Sequence, residues 1–151
     1  MRALEIRSLQ SGDEAQWRKL WTGYLQYYES TVPEEVYRSS FARMLSEDDN
    51  EFSGLIALVD GEPVGIVHFL FHRHGWKVEN VCYLQDLFVA VPQRGSGVAR
   101  ALIEAVYERA DVAGSPSVYW HTQHFNDVGR RLYDRVGKLS PFIVYNRSLD
   151  E

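Results

Sequence analysis

A glycine-containing loop between a strand-like segment and an amphipathic helix constrains the fold of this chain most. Before the loop, residues 83–91 are mostly apolar, aromatic or β-branched, and Pro92 ends the run. After it, apolar residues recur at helical spacing from Val98 to Ala110, with charged residues on the other faces. The loop itself reads Arg-Gly-Ser-Gly-Val-Ala over residues 94–99. When a glycine loop connects a strand to the start of a helix, the free backbone N–H groups at that helix start can bind an anion. The sequence therefore predicts a phosphate-binding site.

The type of phosphate site follows from the spacing of the loop residues. The loop lacks the Gly-Lys-Ser/Thr of a nucleoside-triphosphate P-loop. It also lacks the three-glycine spacing of a dinucleotide fold, and no βαβ unit precedes it. Its Arg-x-x-Gly-x-Ala pattern after a strand resembles the acetyl-coenzyme A (acetyl-CoA) loop of the GCN5-related N-acetyltransferase (GNAT) superfamily.

Length and cysteine content narrow the class of protein. At 151 residues the chain is expected to form one domain, residues 1–151. Its first residues lack the apolar core of a signal peptide, and no apolar run approaches membrane-spanning length, so no membrane partner is expected. Cys82 is the single cysteine, which excludes an intrachain disulfide and a cysteine metal cluster and fits the reducing cytoplasm.

The net charge of −5 is concentrated in one segment. Residues 29–51 hold seven acidic residues against two arginines, a difference of five, so the remaining residues balance. Such a surface repels phosphates, and a nucleic-acid partner is therefore not expected. It would attract a cationic substrate, although a solvated acidic helix face and loop explains the same charges.

Apolar periodicity predicts the order β-α-α-β-β-β-α-β-α-β. This order indicates an α/β fold with a mixed sheet, in which hairpin-linked strands come first and helix-connected strands follow. The predicted elements are a strand at 4–6, a helix at 13–30, a helix with a capping box at 31–34 that runs to 45, strands at 55–59 and 64–71 joined by an Asp60-Gly61 turn, a strand at 83–91, a helix at 98–110, a strand at 117–122, a helix from Asn126 to Gly137, and a strand at 141–147.

This order resembles the GNAT fold across nearly the whole chain, with a mixed central sheet and helices on both faces. The segments that carry the resemblance are 83–89, 117–122, 131–137 and 141–145, together with Asn126, and those after residue 116 resemble the histone/polyamine acetyltransferase branch. The resemblance implies transfer of an acetyl group from acetyl-CoA to a primary amine by direct attack in a ternary complex, which leaves coenzyme A as product.

The resemblance also implies which residues bind the cofactor. Backbone N–H groups of the loop would face the pyrophosphate, Arg94 or Arg100 would add charged contacts, and the backbone of the preceding strand would bind the pantetheine arm. The residues expected at the cofactor are Phe88, Val89, Arg94, Gly95, Ser96, Gly97, Val98, Ala99, Arg100 and Asn126.

Tyr133 and Asn126 are the catalytic candidates that the resemblance implies. Tyr133 occupies the position of a tyrosine near the coenzyme A sulfur, and a phenol with a pKa of about 10 is protonated at neutral pH and can donate to a thiolate. The alternative is a half-buried tyrosine that packs on the sheet. Asn126 matches an asparagine beside the cofactor arm and could equally cap its helix. Cys82 lies among apolar residues and is interpreted as a buried structural thiol rather than a nucleophile.

The sequence does not assign the general base. Gln85 occupies a position where polyamine-type relatives carry glutamate, and strand alternation predicts that Asp86 points to the opposite face. Ordered water, a backbone carbonyl, His68 or His121 remain candidates. The histidine pairs bring no carboxylate as third ligand, so no metal is expected.

The acceptor pocket is expected between the first two helices and the central strand, as in the fold that the chain resembles. There Tyr24, Tyr28, Glu29 and Gln85 would bind an ammonium group through cation–π and polar contacts, although the aromatic residues also fit a plain core stripe. The predicted acceptor is a small primary amine, either a polyamine or an amino acid. The alternatives are a protein lysine or N-terminus as acceptor, or an acyl-CoA-binding domain without catalysis.

A homodimer is expected as well. The segment 142–145 is apolar on both faces, and an edge strand of that kind favours pairing or covering.

Overall fold

The computed structural model describes residues 3–90, 92 and 94–149, and the chain divides into two compact units, residues 1–121 and 122–151. A single domain over residues 1–151 stays a prediction. The elements of the first unit are β1 Leu4–Ser8, a 3₁₀ turn Ser11–Asp13, α1 Glu14–Tyr27, α2 Glu34–Met44, β2 Ser53–Val59, β3 Glu62–His72, β4 Val81–Val89, α3 Val98–Val112 and β5 Val118–Tyr119. The second unit contains α4 Asp127–Val136.

The five strands of the described residues form one mixed sheet in the order β1-β2-β3-β4-β5. The first four pair antiparallel, and β5 pairs parallel to β4 after the α3 crossover. Asp60 and Gly61 join β2 to β3 with φ values of 52° and 84°, the left-handed backbone that tight hairpin turns require. The predicted mixed α/β architecture is confirmed.

Helices pack on both faces of the sheet. Trp17 and Trp21 of α1 and Phe41 of α2 form a core cluster with Ile56 and Ile66 of the sheet. On the other face, a Cβ added at Gly65 would lie 3.1 Å from Leu102 Cδ1 and 3.4 Å from Val98 Cγ1, both in α3. Neighbouring strand residues point to opposite faces of the sheet. Ile66 therefore faces α1 and α2, whereas Gly65 faces α3.

The predicted strand at 141–147 is wrong for this structure. Residues 141–149 contain no helix or strand, and Phe142, Ile143, Val144 and Tyr145 are all exposed. An apolar pattern indicates that a segment favours burial, but a strand forms only where a neighbouring strand accepts its hydrogen bonds. The strand predicted at 117–122 shortens to Val118–Tyr119 for the same reason, since only these two residues pair with β4.

The start of α2 also differs from the prediction. Pro33 is the N-cap with an extended backbone, and no side chain caps the helix, so the predicted capping box at 31–34 does not form. Glu34 instead accepts hydrogen bonds from the Arg18 guanidinium at 2.7 and 2.8 Å. Its carboxylate therefore binds a residue of α1 rather than the N-terminus of its own helix. In the described part of the chain, no helix combines the length and the apolarity needed to cross a bilayer.

Candidate active site

A β-bulge in β4 shapes the centre of the first unit. His68 of β3 pairs with Asp86, whereas the next residue, Phe69, pairs with Leu84, so Gln85 is left without a partner in the register. A bulge interrupts side-chain alternation, because two residues of one strand oppose one residue of the other. Gln85 and Asp86 consequently line the same cavity, and the prediction that they face opposite sides is wrong.

The cavity has a volume of about 290 Å³ and lies among α1, α2, the segment after α2 and strands β3 and β4. Its walls combine apolar residues with a few polar groups, as small-molecule sites do. The lining residues are Trp21, Val32, Val36, Ser40, Arg43, Phe52, His68, Gln85 and Asp86. A cavity therefore lies in the region predicted for the acceptor, and binding of the acceptor there stays a prediction.

A buried chain of hydrogen bonds runs from α1 to the cavity wall. Trp17 Nε1 lies 2.9 Å from His68 Nε2, and His68 Nδ1 lies 2.8 Å from Asp86 Oδ2. Because an indole N–H can only donate, His68 Nε2 is the acceptor and the ring proton sits on Nδ1, from which it is donated to Asp86. Both ring nitrogens are thus engaged, and His68 has no lone pair free to take a proton from a substrate.

Asp86 is the carboxylate that the cavity offers. It is buried, and its Oδ2 accepts the His68 N–H. The pKa of the neighbouring Tyr24 hydroxyl is raised, first by burial and then by the negative charge of Asp86 and a hydrogen bond to it. Tyr24 therefore stays protonated and acts as a donor beside the carboxylate.

The other predicted acceptor residues lie around this site in different ways. The Tyr28 ring packs against Tyr24 with centroids 5.1 Å apart, and burial is the main cause that raises the pKa of its hydroxyl. Glu29 is exposed in the turn after α1, with a φ of 54°, and does not line the cavity. Of the four, Gln85 lines the cavity, Tyr24 lies beside Asp86, and Tyr28 packs against Tyr24 without lining the cavity.

The predicted cofactor loop has an open backbone. Gly95 and Gly97 adopt φ values of 81° and 89°, and an added Cβ at either position would meet no atom within 4 Å. Gly97 is the N-cap of α3 and has no side-chain cap, so the N–H groups of the first helical turn, at Val98, Ala99 and Arg100, have no intrahelical partner. Open space at a helix N-terminus whose first N–H groups have no intrahelical partner fits a pyrophosphate.

Arg94 connects this loop to the end of β4 through its side chain. Its Nε donates to the Val89 carbonyl oxygen at 3.1 Å, and its guanidinium carbon lies 5.5 Å from the centre of the Phe88 ring. The expected cofactor residues of strand and loop are thereby brought together. Ser96 is exposed within the loop, and Arg100 forms an exposed ion pair with Glu104 at 3.5 Å.

The two remaining candidates belong to the second unit. Asn126 is the N-cap of α4, where its Oδ1 accepts from the Gly129 N–H at 3.2 Å and its Nδ2 donates to Thr122 Oγ1 at 2.9 Å. The predicted helix cap is confirmed, whereas a contact with a cofactor stays a prediction. Tyr133 is half-buried on α4, and its role as an acid also stays a prediction.

Two other candidates from the sequence take different roles. Cys82 is fully buried in β4, and burial raises the pKa of its thiol to about 12, which agrees with a structural thiol. His121 is exposed and its Nδ1 lies 3.1 Å from the Tyr83 hydroxyl, outside the cavity lining.

Sequence reasoning missed Arg43, Ser40 and Trp17 as parts of the site. Arg43 and Ser40 lie one turn apart on α2, so their spacing shows that they share a face but not that this face borders a cavity. Trp17 matches the apolar stripe of α1, and only its contact with His68 gives it a second role.

Comparison with known proteins identifies relatives over most of the chain. The sequence profile of the acetyltransferase (GNAT) family matches residues 16–137. The D-amino-acid N-acetyltransferase HPA3 of Saccharomyces cerevisiae is 36% identical over 144 residues, which cover 95% of this chain and 89% of the yeast protein.

Solved structures share the fold at lower sequence identity. The aminoglycoside N-acetyltransferase AAC(6')-Iy in complex with CoA superposes with a TM-score of 0.84 at 20% identity, covering 98% of this chain and 96% of that one. A ribosomal-protein-alanine N-acetyltransferase from Brucella melitensis superposes with a TM-score of 0.79 at 20% identity, covering 97% and 99%.

Proposed function

Since the chain belongs to the GNAT family of acetyltransferases, we propose that it transfers the acetyl group of acetyl-CoA to the primary amine of a small molecule, an amino acid or a polyamine. The observation that carries this proposal is the cavity beside β4, into which Asp86 presents a buried carboxylate held by His68. A buried carboxylate attracts an ammonium group and can accept its proton.

Residues at the end of β4 and in the glycine loop would hold the donor. The N–H groups of the first turn of α3 would bind the pyrophosphate, and the backbone of Phe88 and Val89 would bind the pantetheine arm. The bound donor supplies an activated thioester. Arg94, bonded to Val89, keeps the loop next to the strand that binds this arm.

Each proton in the proposed reaction has a defined destination. The amine nitrogen attacks the thioester carbonyl carbon, a C–N bond forms, and the C–S bond breaks. Asp86 accepts the proton that converts the bound ammonium group to a neutral amine and then releases it to solvent. After the attack the nitrogen loses its second proton to solvent, the Tyr133 hydroxyl protonates the departing thiolate, and the Tyr133 phenolate regains a proton from solvent. Trp17 and His68 act as positioning residues, because their hydrogen bonds orient Asp86 and occupy both ring nitrogens of His68.

Four further assignments accompany the proposed activity. Asn126 contacts the cofactor arm while it caps α4. The apolar C-terminal segment 142–145 forms a homodimer interface, supported by the exposure of its side chains. The cytoplasm is the proposed compartment, supported by the single, unpaired cysteine. Within the family we place the chain beside the histone/polyamine branch, on the residues 117–145 that resemble it.

Release of coenzyme A thiol across a panel of amines tests the proposed function. The panel contains amino acids, diamines, polyamines and a basic peptide with a free N-terminus and lysines, and a mass shift of one acetyl group identifies the product. We expect turnover with at least one small amine and little with the peptide. Peptide acetylation alone would indicate a protein acetyltransferase. Binding of acetyl-CoA without turnover of any amine would indicate an acyl-CoA-binding domain.

A further inference from the structure

The polar groups of the cavity are segregated by element. The helix side contributes Arg43, Ser40 and Trp21, whose side chains each carry a hydrogen-bond donor. The strand side contributes His68, Gln85 and Asp86, of which Asp86 is the carboxylate. A ligand that spans this cavity would therefore be acidic at the helix end and basic at the strand end.

Arg43 differs from its neighbouring arginines in its lack of a partner. Arg18 pairs with Glu14 and Glu34, and Arg38 pairs with Glu34 at 3.6 Å. Arg43 forms no ion pair or side-chain hydrogen bond within residues 3–90, 92 and 94–149, and it borders the cavity. Arg43 lies in the last turn of α2, where the helix dipole stabilises its positive charge. That position provides no acceptor for the five N–H groups of its guanidinium.

Trp21 supplies a second, independent observation. The Trp21 ring lines the cavity, and its Nε1–H is buried and has no hydrogen-bond partner among the residues that the structure describes. A buried donor without an acceptor is destabilising, so native structures rarely leave one unpaired. An acceptor atom on a bound ligand would remove this destabilisation.

We propose that Arg43 and Trp21 bind the carboxylate of an α-amino acid acceptor whose ammonium group faces Asp86. The inference rests on the proposed acetyl transfer and specifies its acceptor. Arg43 supplies the charge and Trp21 a neutral donor, while Ser40, one turn before Arg43, lies on the same wall. The ammonium group is thereby directed towards β4, the strand that would bind the pantetheine arm.

The same geometry disfavours a polyamine. A second ammonium group at the helix end would meet the guanidinium of Arg43, which is exposed at the rim of the cavity, and like charges repel. The volume of about 290 Å³ is at the small end of the range of ligand pockets, about 300–1,000 Å³, which agrees with a single amino acid.

A comparison of acids with their amides tests this assignment. Each amino acid of the panel, as D and L enantiomer, is paired with its α-carboxamide, which keeps the amine and removes the negative charge. We expect kcat/KM to favour the acid by about 10- to 100-fold in the wild type, the range for a charged hydrogen bond. In Arg43→Gln the ratio of acid to amide should fall towards one, and Arg43→Lys should restore part of it.

Arg38→Gln is the matched control, because Arg38 lies on the same helix, is exposed and does not line the cavity. It should keep the wild-type ratio. The ratio is taken within each variant, so a loss of folded protein cancels. Turnover of amines with no preference for the acid, or a ratio unchanged in Arg43→Gln, would overturn the inference and leave the proposed function intact. Absence of turnover with every amine would overturn both.

Discussion

His68 Nδ1 lies 2.8 Å from Asp86 Oδ2, and this hydrogen bond fixes the carboxylate at the wall of the cavity. Because Trp17 donates to the opposite ring nitrogen, the imidazole can neither rotate nor accept a proton without losing a buried bond. The histidine thus orients the carboxylate, which is the proton acceptor in the proposed reaction.

The glycine loop leads to a prediction about cofactor affinity. Gly97→Ala should weaken acetyl-CoA binding by at least about tenfold, because the new Cβ enters the space in front of the helix N-terminus. Calorimetric titration measures the affinity. Gly61→Ala is the matched control, since Gly61 has a similar φ of 84° and an equally open Cβ position but lies in the β2–β3 hairpin. Equal affinities in the two variants would remove the loop from the cofactor site.

Tyr133→Phe tests the proposed acid. Loss of the hydroxyl should lower kcat by roughly 10²–10⁴-fold with little change in acetyl-CoA affinity, because only the proton donor is removed. Thiol-release kinetics at saturating acetyl-CoA provide the rate, and Tyr27→Phe, which changes an exposed tyrosine of α1 that does not line the cavity, serves as the control. A rate within about threefold of the wild type would mean that solvent protonates the thiolate.

Much of the fold was predictable because its signals are local. The apolar stripe of α1, the Asp60-Gly61 turn and the Asn126 cap each depend on residues within a few positions of one another. The site was less predictable, because its central contacts join distant segments. The bulge at Gln85 exists only in the pairing of β4 with β3, and the Trp17–His68 bond joins residues 51 positions apart. The strand predicted at 141–147 failed for the same reason, since its pattern does not specify a partner.

The change in the free energy of unfolding towards low pH should depend on the ion pair between Arg7 and Asp13. Two hydrogen bonds from the Arg7 guanidinium, at 2.8 and 3.0 Å, lower the pKa of Asp13 below its usual value. A carboxyl group with a lowered native pKa stabilises the fold above its unfolded pKa of about 4, and this contribution is lost as the pH falls through the native pKa. Asp13→Asn should therefore reduce the free energy of unfolding by about 1 kcal/mol at pH 7.

The difference between wild type and Asp13→Asn should shrink as the pH falls below about 4. Urea unfolding at pH 7 and at pH 3 measures it, with the exposed Asp49→Asn as a control that is expected to be neutral at both. A difference that stays constant over this range would show that the pair contributes nothing through the charge of Asp13.

The exposed C-terminal segment leads to a prediction about assembly. Light scattering at micromolar concentration should give the mass of a dimer, because a continuous apolar segment is costly to leave in water. Ile143→Asp should shift the mass towards the monomer. Val112→Asp replaces an equally exposed apolar residue at the end of α3 and should leave the dimer intact. A monomer mass for the wild type would contradict the proposed interface.

The most direct measurement of the central claim is the rate of acetyl transfer by Asp86→Asn. Asparagine keeps the shape of the side chain, and its amide oxygen can still accept the His68 N–H, so the fold and the affinity for acetyl-CoA should be preserved. If the cavity is the site of transfer and Asp86 accepts the amine proton, kcat/KM for the acceptor should fall by roughly 10²–10⁴-fold. A folded variant that acetylates the same amine within about threefold of the wild-type rate would contradict the account.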